Sequence, residues 1–184
     1  RINPDYEEAH YNLGNVLNKQ GRTEEAIEHY LHALRIKPDY VEAHNNLGFV
    51  LNKQGRSEEA IEHYLEALRI MPDYENAHYN LGNVLYKQGR IEEAKEHYLK
   101  ALRINPNYGK AHYNLGNVLN KQGHTEDAIK HYLEALRINP NSEEAHNNLA
   151  VSFLYKGHIK MAIVHFQKAL HINPDYIPAK NNLD

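Results

Sequence analysis

The sequence predicts an all-α fold made by stacking antiparallel helix hairpins, and three observations predict it. The stretch 7–40, EEAHYNLGNVLNKQGRTEEAIEHYLHALRIKPDY, returns at once as 41–74 with only six changes, so that 28 of 34 positions are identical; further copies run 75–108, 109–142 and 143–176. The prolines Pro4, Pro38, Pro72, Pro106, Pro140 and Pro174 recur at the same period. Each repeat also carries two separate stripes of apolar or small residues at helical spacing. A fixed period of this size is the signature of an α-solenoid, in which no hairpin buries its apolar face alone and neighbours complete a continuous core.

Taken in order, the first helix of a repeat is marked by His10, Leu13, Gly14 and Leu17, at i, i+3, i+4 and i+7. Lys19-Gln20-Gly21-Arg22-Thr23 interrupts it, with Gly21 suited to the left-handed residue that ends a helix. Thr23 is expected to cap the second helix, whose positive end Glu24 and Glu25 complement. That helix is marked by Ala26, Tyr30, Ala33 and Leu34. After Pro38, Asp39 is expected to cap the next repeat, with Glu42 completing a capping box. The whole chain, 1–184, reads as one array. Residues 1–6 match the tail of a preceding repeat, and 177–184 begin a sixth first helix. Neither end carries the polar cap that solenoids use, so the chain reads as a fragment of a longer array whose bare end faces favour end-to-end self-association.

The set Leu13, Gly14, Leu17, Ala26, Tyr30, Ala33 and Pro38 resembles the tetratricopeptide repeat (TPR) pattern L-G-x2-Y, A-x3-F, A and P, five times over. One position departs throughout: the aromatic residue that opens the family pattern is His10, His44, His78, His112 and His146. The resemblance implies a right-handed superhelix in which first helices line a concave groove and second helices form the back. It also implies a scaffold whose partner is a protein or an extended peptide.

Composition narrows the chemistry. With no cysteine, disulfides and thiolate nucleophiles are excluded. No run approaches the ~20 apolar residues of a membrane span. The formal charge is −3, and Lys and Arg are interleaved with Glu and Asp rather than clustered as nucleic-acid binding requires. The recurring Lys19, Lys53, Lys87 and Lys121 read as solvated helix ends complementing the dipole. Serine is scarce (Ser57, Ser142 and Ser152), no nucleophile–base–acid set is visible and there is no Gly-rich phosphate loop, so neither catalysis nor a cofactor is expected. Ten of the fourteen histidines form two rows, His10, His44, His78, His112, His146 and His29, His63, His97, His131, His165. Rows spread along an array serve repeated packing better than a metal, which needs three or four ligands at one point; His29 and His32 share a helix face but lack a third ligand in the motif. With the first row packed and neutral, acid is expected to destabilise the array as that row charges.

The resemblance places the groove on the polar side of the first helices. The residues expected to contact a peptide are Tyr11, Asn12, Asn15, Asn46, Phe49, Tyr79, Asn80, Asn83, Tyr86, Tyr113, Asn114, Asn117, Asn148, Leu154 and Tyr155. Asn12, Asn46, Asn80, Asn114, Asn148 and Asn182 form an unbroken row. An amide both donates and accepts, so such a row can grip a peptide backbone without reading its sequence; it is similar to the asparagine ladder in the TPR region of O-GlcNAc transferase. The plainer alternative is that these amides bond locally or to water. A clamp for acidic C-terminal chaperone tails is disfavoured, because Tyr11 and Asn80 stand where its Lys and Arg would be. In the fifth repeat Ala150 replaces glycine, and Val151, Leu154 and Tyr155 make the groove side apolar. This end is either a pocket for an anchoring side chain or a surface for a further helix. Two other readings stay beside the peptide scaffold: a substrate-recruiting arm of a larger enzyme such as a protein glycosyltransferase, and a structural module that polymerises end to end.

Overall fold

The structure, a computed structural model, describes residues 6–182 and divides into two compact units, 1–90 and 91–184. Residues 1–5 of the expected leading tail and 183–184 of the partial sixth repeat lie outside the described residues. The first unit contains α1 (Glu7–Lys19), α2 (Thr23–Ile36), α3 (Val41–Lys53), α4 (Ser57–Ile70) and α5 (Glu75–Lys87). The second contains α6 (Ile91–Ile104), α7 (Gly109–Lys121), α8 (Thr125–Ile138), α9 (Glu143–Tyr155), α10 (Ile159–Ile172) and the short α11 (Ile177–Asn181). No strand occurs among the described residues, and none of their helices is long and apolar enough to cross a membrane.

In the first unit α1 pairs with α2 and α3 with α4, while α2 packs on α3 and α4 on α5. Odd-numbered helices also touch one another, α1 to α3 and α3 to α5, which makes a face of first helices. The second unit repeats this with α7 and α8, α9 and α10, and an α7–α9 contact. The hairpins close around a tyrosine lying on a glycine. A Cβ on Gly14 would stand 2.7 Å from Cε1 of Tyr30, and one on Gly116 2.6 Å from Cε1 of Tyr132. The glycine is therefore a space requirement rather than a hinge. The fifth repeat solves the same contact differently, with Ala150 and Phe166, both buried.

The turn glycine behaves as expected: Gly21 has φ 77°. The two caps do not. Helix α2 begins at Thr23, which makes Arg22 the capping residue, and the Thr23 hydroxyl donates instead to the Gly21 carbonyl at 3.3 Å. Arg22 reaches across the first turn to Glu25 in a two-pronged pair of 2.6 and 2.5 Å. Helix α3 begins at Val41, so Asp39 lies one residue too early to cap it, and Tyr40 at the cap position makes no side-chain bond. Packing decides this, because the Tyr40 ring lies 4.9 Å from that of Tyr11 and is worth more there than a cap. Where serine replaces that tyrosine a side chain does cap: the Ser142 hydroxyl accepts from the Ala145 amide at 3.2 Å, a bond worth about 1 kcal/mol.

Candidate peptide-binding face

On the face of first helices the asparagine row is stitched into the fold. In the first unit the Asn46 amide donates to the Tyr11 hydroxyl at 3.1 Å and to Oδ1 of Asn15 at 2.9 Å. Oδ1 of Asn15 also accepts from the buried Tyr30 hydroxyl at 2.8 Å. Asn45 donates to Oδ1 of Asn46 at 3.2 Å, and Asn80 donates to Oδ1 of Asn45 at 3.0 Å. One chain of amides thus runs from α1 through α3 to α5. With both protons spent and its oxygen accepting one bond, Asn46 keeps a single lone pair for a ligand.

The second unit carries the same circuit. Tyr132 donates to Asn117 at 2.8 Å, and Asn148 donates to Asn117 at 2.9 Å and to the Tyr113 hydroxyl at 3.1 Å. Asn147 donates to Asn148 at 3.2 Å and accepts from Asn182 at 3.4 Å. Asn45 and Asn147 fall on the polar side of their first helices in the sequence but are not among the residues expected to contact a peptide; both are buried. A signal for them exists within the chain: the pairs four residues apart are Tyr11–Asn15, Asn45–Phe49, Tyr79–Asn83, Tyr113–Asn117 and Asn147–Val151. Tyrosine at the first place always goes with asparagine at the second, and asparagine at the first with an apolar residue, as a shared acceptor requires.

The remaining expected residues divide by exposure. Asn12 is exposed and has no hydrogen-bond partner among the described residues. Phe49 is 42% exposed, with the Lys53 ammonium 5.7 Å from its ring centroid. Tyr79, Asn83 and Tyr86 in the first unit, and Asn114 in the second, are half-buried. Leu154 is 40% and Tyr155 77% exposed on α9. Burial pushes the Tyr30 hydroxyl up to about 12 and, with Tyr11 beside it, Tyr40 also to about 12, so these phenols stay neutral donors and acceptors.

The histidine rows meet in pairs across the α1–α2, α3–α4, α7–α8 and α9–α10 hairpins. Nδ1 to Nδ1 distances are 2.9 Å for His10–His29, 3.0 Å for His44–His63, and 2.9 Å for both His112–His131 and His146–His165. Nε2 of His44 lies 3.0 Å from the Pro38 carbonyl, and His112 and His146 make the same contact with Pro106 and Pro140 at 3.1 Å. A carbonyl only accepts, so these first-row rings carry their proton on Nε2 and, when neutral, accept at Nδ1 from the second-row ring. The pairing nitrogens are committed to each other rather than converging on an ion, and no group of three or more His, Cys, Asp or Glu among the described residues could hold a metal. Burial, then the partner histidine, holds His63 and His165 down at about 4; His29 and His131 are lowered for the same reasons. In the first row burial lowers His146. Acid sensitivity is therefore not confined to the first row: His29, His63, His131 and His165 of the second row are depressed as His146 of the first is. At His146 the Pro140 carbonyl opposes the effect of burial.

Comparison with known proteins gives the family. A tetratricopeptide repeat model matches residues 39–107 and 73–141, a TPR repeat model matches 14–55, and a further tetratricopeptide repeat model matches 143–176. Among solved structures, YrrB, described as a TPR protein with an unusual peptide-binding site, is 25% identical with a TM-score of 0.77 over 98% of this chain and 93% of its own. PilF of Pseudomonas aeruginosa is 25% identical with a TM-score of 0.85, over 91% of this chain and 76% of its own. A thermophilic TPR protein of Thermus thermophilus is 26% identical with a TM-score of 0.72, over 96% of each chain. With the period, the glycine–tyrosine contact and the hairpins in agreement, the chain belongs to the tetratricopeptide repeat family.

Proposed function

We propose that this chain is a protein-interaction scaffold that binds an extended peptide segment of its partner on the first-helix faces, and that it has no catalytic role of its own. The observation that carries the reading is an exposed apolar and aromatic set, Phe49 in the first unit and Leu154 and Tyr155 in the second, standing on helices that the amide chains link to their neighbours. Preorganised anchors of this kind lose little entropy when a flexible peptide docks. The amides contribute by fixing the rings, and the exposed Asn12 and the residual acceptors of the row are left to meet peptide groups. The likeness to YrrB supports the same reading.

The test is selection of a displayed dodecapeptide library on the wild-type chain, followed by fluorescence anisotropy of enriched peptides against Phe49→Ala and Leu154→Ala. Both side chains are surface positions, so the variants should melt as wild type does. At least one is expected to lose about tenfold or more in affinity, the loss typical of truncating an interface anchor. Enriched peptides indifferent to both variants, or no enrichment, would overturn the assignment of these faces.

A second reading, self-association, is favoured by one contrast. Val16 on α1 is 49% exposed, whereas its counterpart Val50 is fully buried on α3, a helix that packs on α1 and α2. Sedimentation at rising concentration is expected to show dimers for wild type and fewer for Val16→Lys; a monomer throughout would dismiss it.

A further inference from the structure

The second unit has an opening on its first-helix face that the first unit fills. At the corresponding place in the first unit, Val41 (6% exposed) packs with Ala67 and Ala77, and Leu68, Ile70 and Tyr74 close around them. Counting 68 residues on, the valine becomes Gly109 and the tyrosine becomes Ser142, while Ala135, Ala145 and Ile138 keep their types. The two losses leave a cavity of about 670 Å³ lined by the Tyr108 and Tyr113 rings, Ile138, Lys110, Asn139 and Ser142. That volume falls inside the ~300–1,000 Å³ range of ligand pockets.

We infer that this cavity is an anchor pocket for an aromatic side chain of a bound peptide, with an acidic residue beside it on the peptide. This rests on the peptide-binding reading and deepens it. The walls supply the aromatic preference, since Tyr108, Tyr113 and Ile138 offer ring and aliphatic surface on which a flat side chain stacks. The rim supplies the charge. Glu144 accepts a hydrogen bond from Ser142 at 3.2 Å, whereas the exposed Lys110 ammonium has no carboxylate partner among the described residues. A carboxylate next to the anchor meets that cation and the Asn139 amide. Tyr113 is fixed from below, because its hydroxyl accepts from Asn148 at 3.1 Å.

The experiment uses fluorescein-labelled Gly/Ser decapeptides carrying one Trp-Asp, Ser-Asp or Trp-Lys pair, measured by anisotropy on the full chain beside the library-selected peptides. Gly109→Val with Ser142→Tyr restores the first unit's own residues. A Cβ at Gly109 would come within 3.1 Å of Ile138 Cγ2, a side-chain atom that can shift by the few tenths required. Wild type is expected to bind the Trp-Asp peptide about tenfold or more tighter than Ser-Asp. The filled variant should lose that preference while staying folded, the lost Ser142 cap costing about 1 kcal/mol, and Lys110→Glu should reverse the order of Trp-Asp and Trp-Lys. If the filled variant keeps the preference, the pocket is refuted and face binding stands. If neither these probes nor any library peptide binds, both readings fall. Should the filled variant not fold, Lys110→Glu decides alone, and an unchanged order overturns the pocket.

Discussion

Replacing Tyr132 by alanine is expected to destabilise the second unit by about 3–5 kcal/mol, the range for emptying a large aromatic site in a packed core. The ring is 1% exposed, lies against Gly116, and through its hydroxyl holds Asn117, which in turn takes the Asn148 amide. The conservative change separates packing from bonding. Tyr132→Phe keeps the ring and loses one buried hydrogen bond, for about 1 kcal/mol. Tyr30→Phe should match it, because the Tyr30 hydroxyl makes the same 2.8 Å bond to Asn15. Tyr64→Phe should lie within about 0.5 kcal/mol of wild type, because Phe49 stands where the accepting asparagine would be and the Tyr64 hydroxyl has no partner among the described residues. Repeats couple mainly to their neighbours, so amide exchange in α7 and α8 reports the Tyr132 effect more directly than a global melt. Equal costs for Tyr64→Phe and Tyr132→Phe would show that the amide chain does not carry the difference.

The fold was legible because its signal is written five times. Period, proline spacing and small-residue positions each demand the same hairpin, and Gly14 and Tyr30 meet as the family pattern implies. Caps were less legible, because a side chain three residues from a helix start can serve either the helix or a neighbour. At Tyr40 the neighbour wins, through a ring contact with Tyr11 that lies 29 positions away in sequence. The face was half legible. Residue type and row position identified Asn12, Asn46 and Asn148 correctly as first-helix polar residues. The bonds of Asn46 and Asn148 go to residues 31 and 35 positions earlier, and only the stacking of hairpins reveals that distance. The Gly109 opening was hidden for the opposite reason. A glycine opening a helix reads as permissive backbone until the valine and tyrosine that fill the equivalent site are seen packed together.

Acid is the second large perturbation, with an expected fall in melting temperature on the order of 10 °C between pH 7.5 and pH 4.5. His63 and His165 stand at about 4 in the folded chain, against about 6.5 when unfolded. The unfolded chain therefore binds protons first. The stability contributed by the neutral rings is complete above about pH 6.5 and is lost as pH falls toward 4. His29, His131 and His146 are lowered in the same direction and add to the loss. Each unit of depression corresponds to about 1.4 kcal/mol before solvent screening, and these part-exposed rings retain only a fraction of it. The surroundings of the two rings differ. His63 faces His44, Glu59, Glu66 and Arg56, so carboxylates offset its burial, whereas His165 faces His146 and Lys168 with no acid among its neighbours. The first proton on a pair goes to the free second-row Nε2 and keeps the Nδ1–H···Nδ1 bond. A second proton sets two N–H groups against each other and breaks it. Lys168→Glu places at that position the residue type of Glu66 and Glu134, and should raise the His165 pKa and shrink the acid loss while leaving the melt at pH 7.5 nearly unchanged. Equal melting temperatures at pH 4.5 and 7.5 for wild type would mean that the paired histidines contribute nothing that protonation removes.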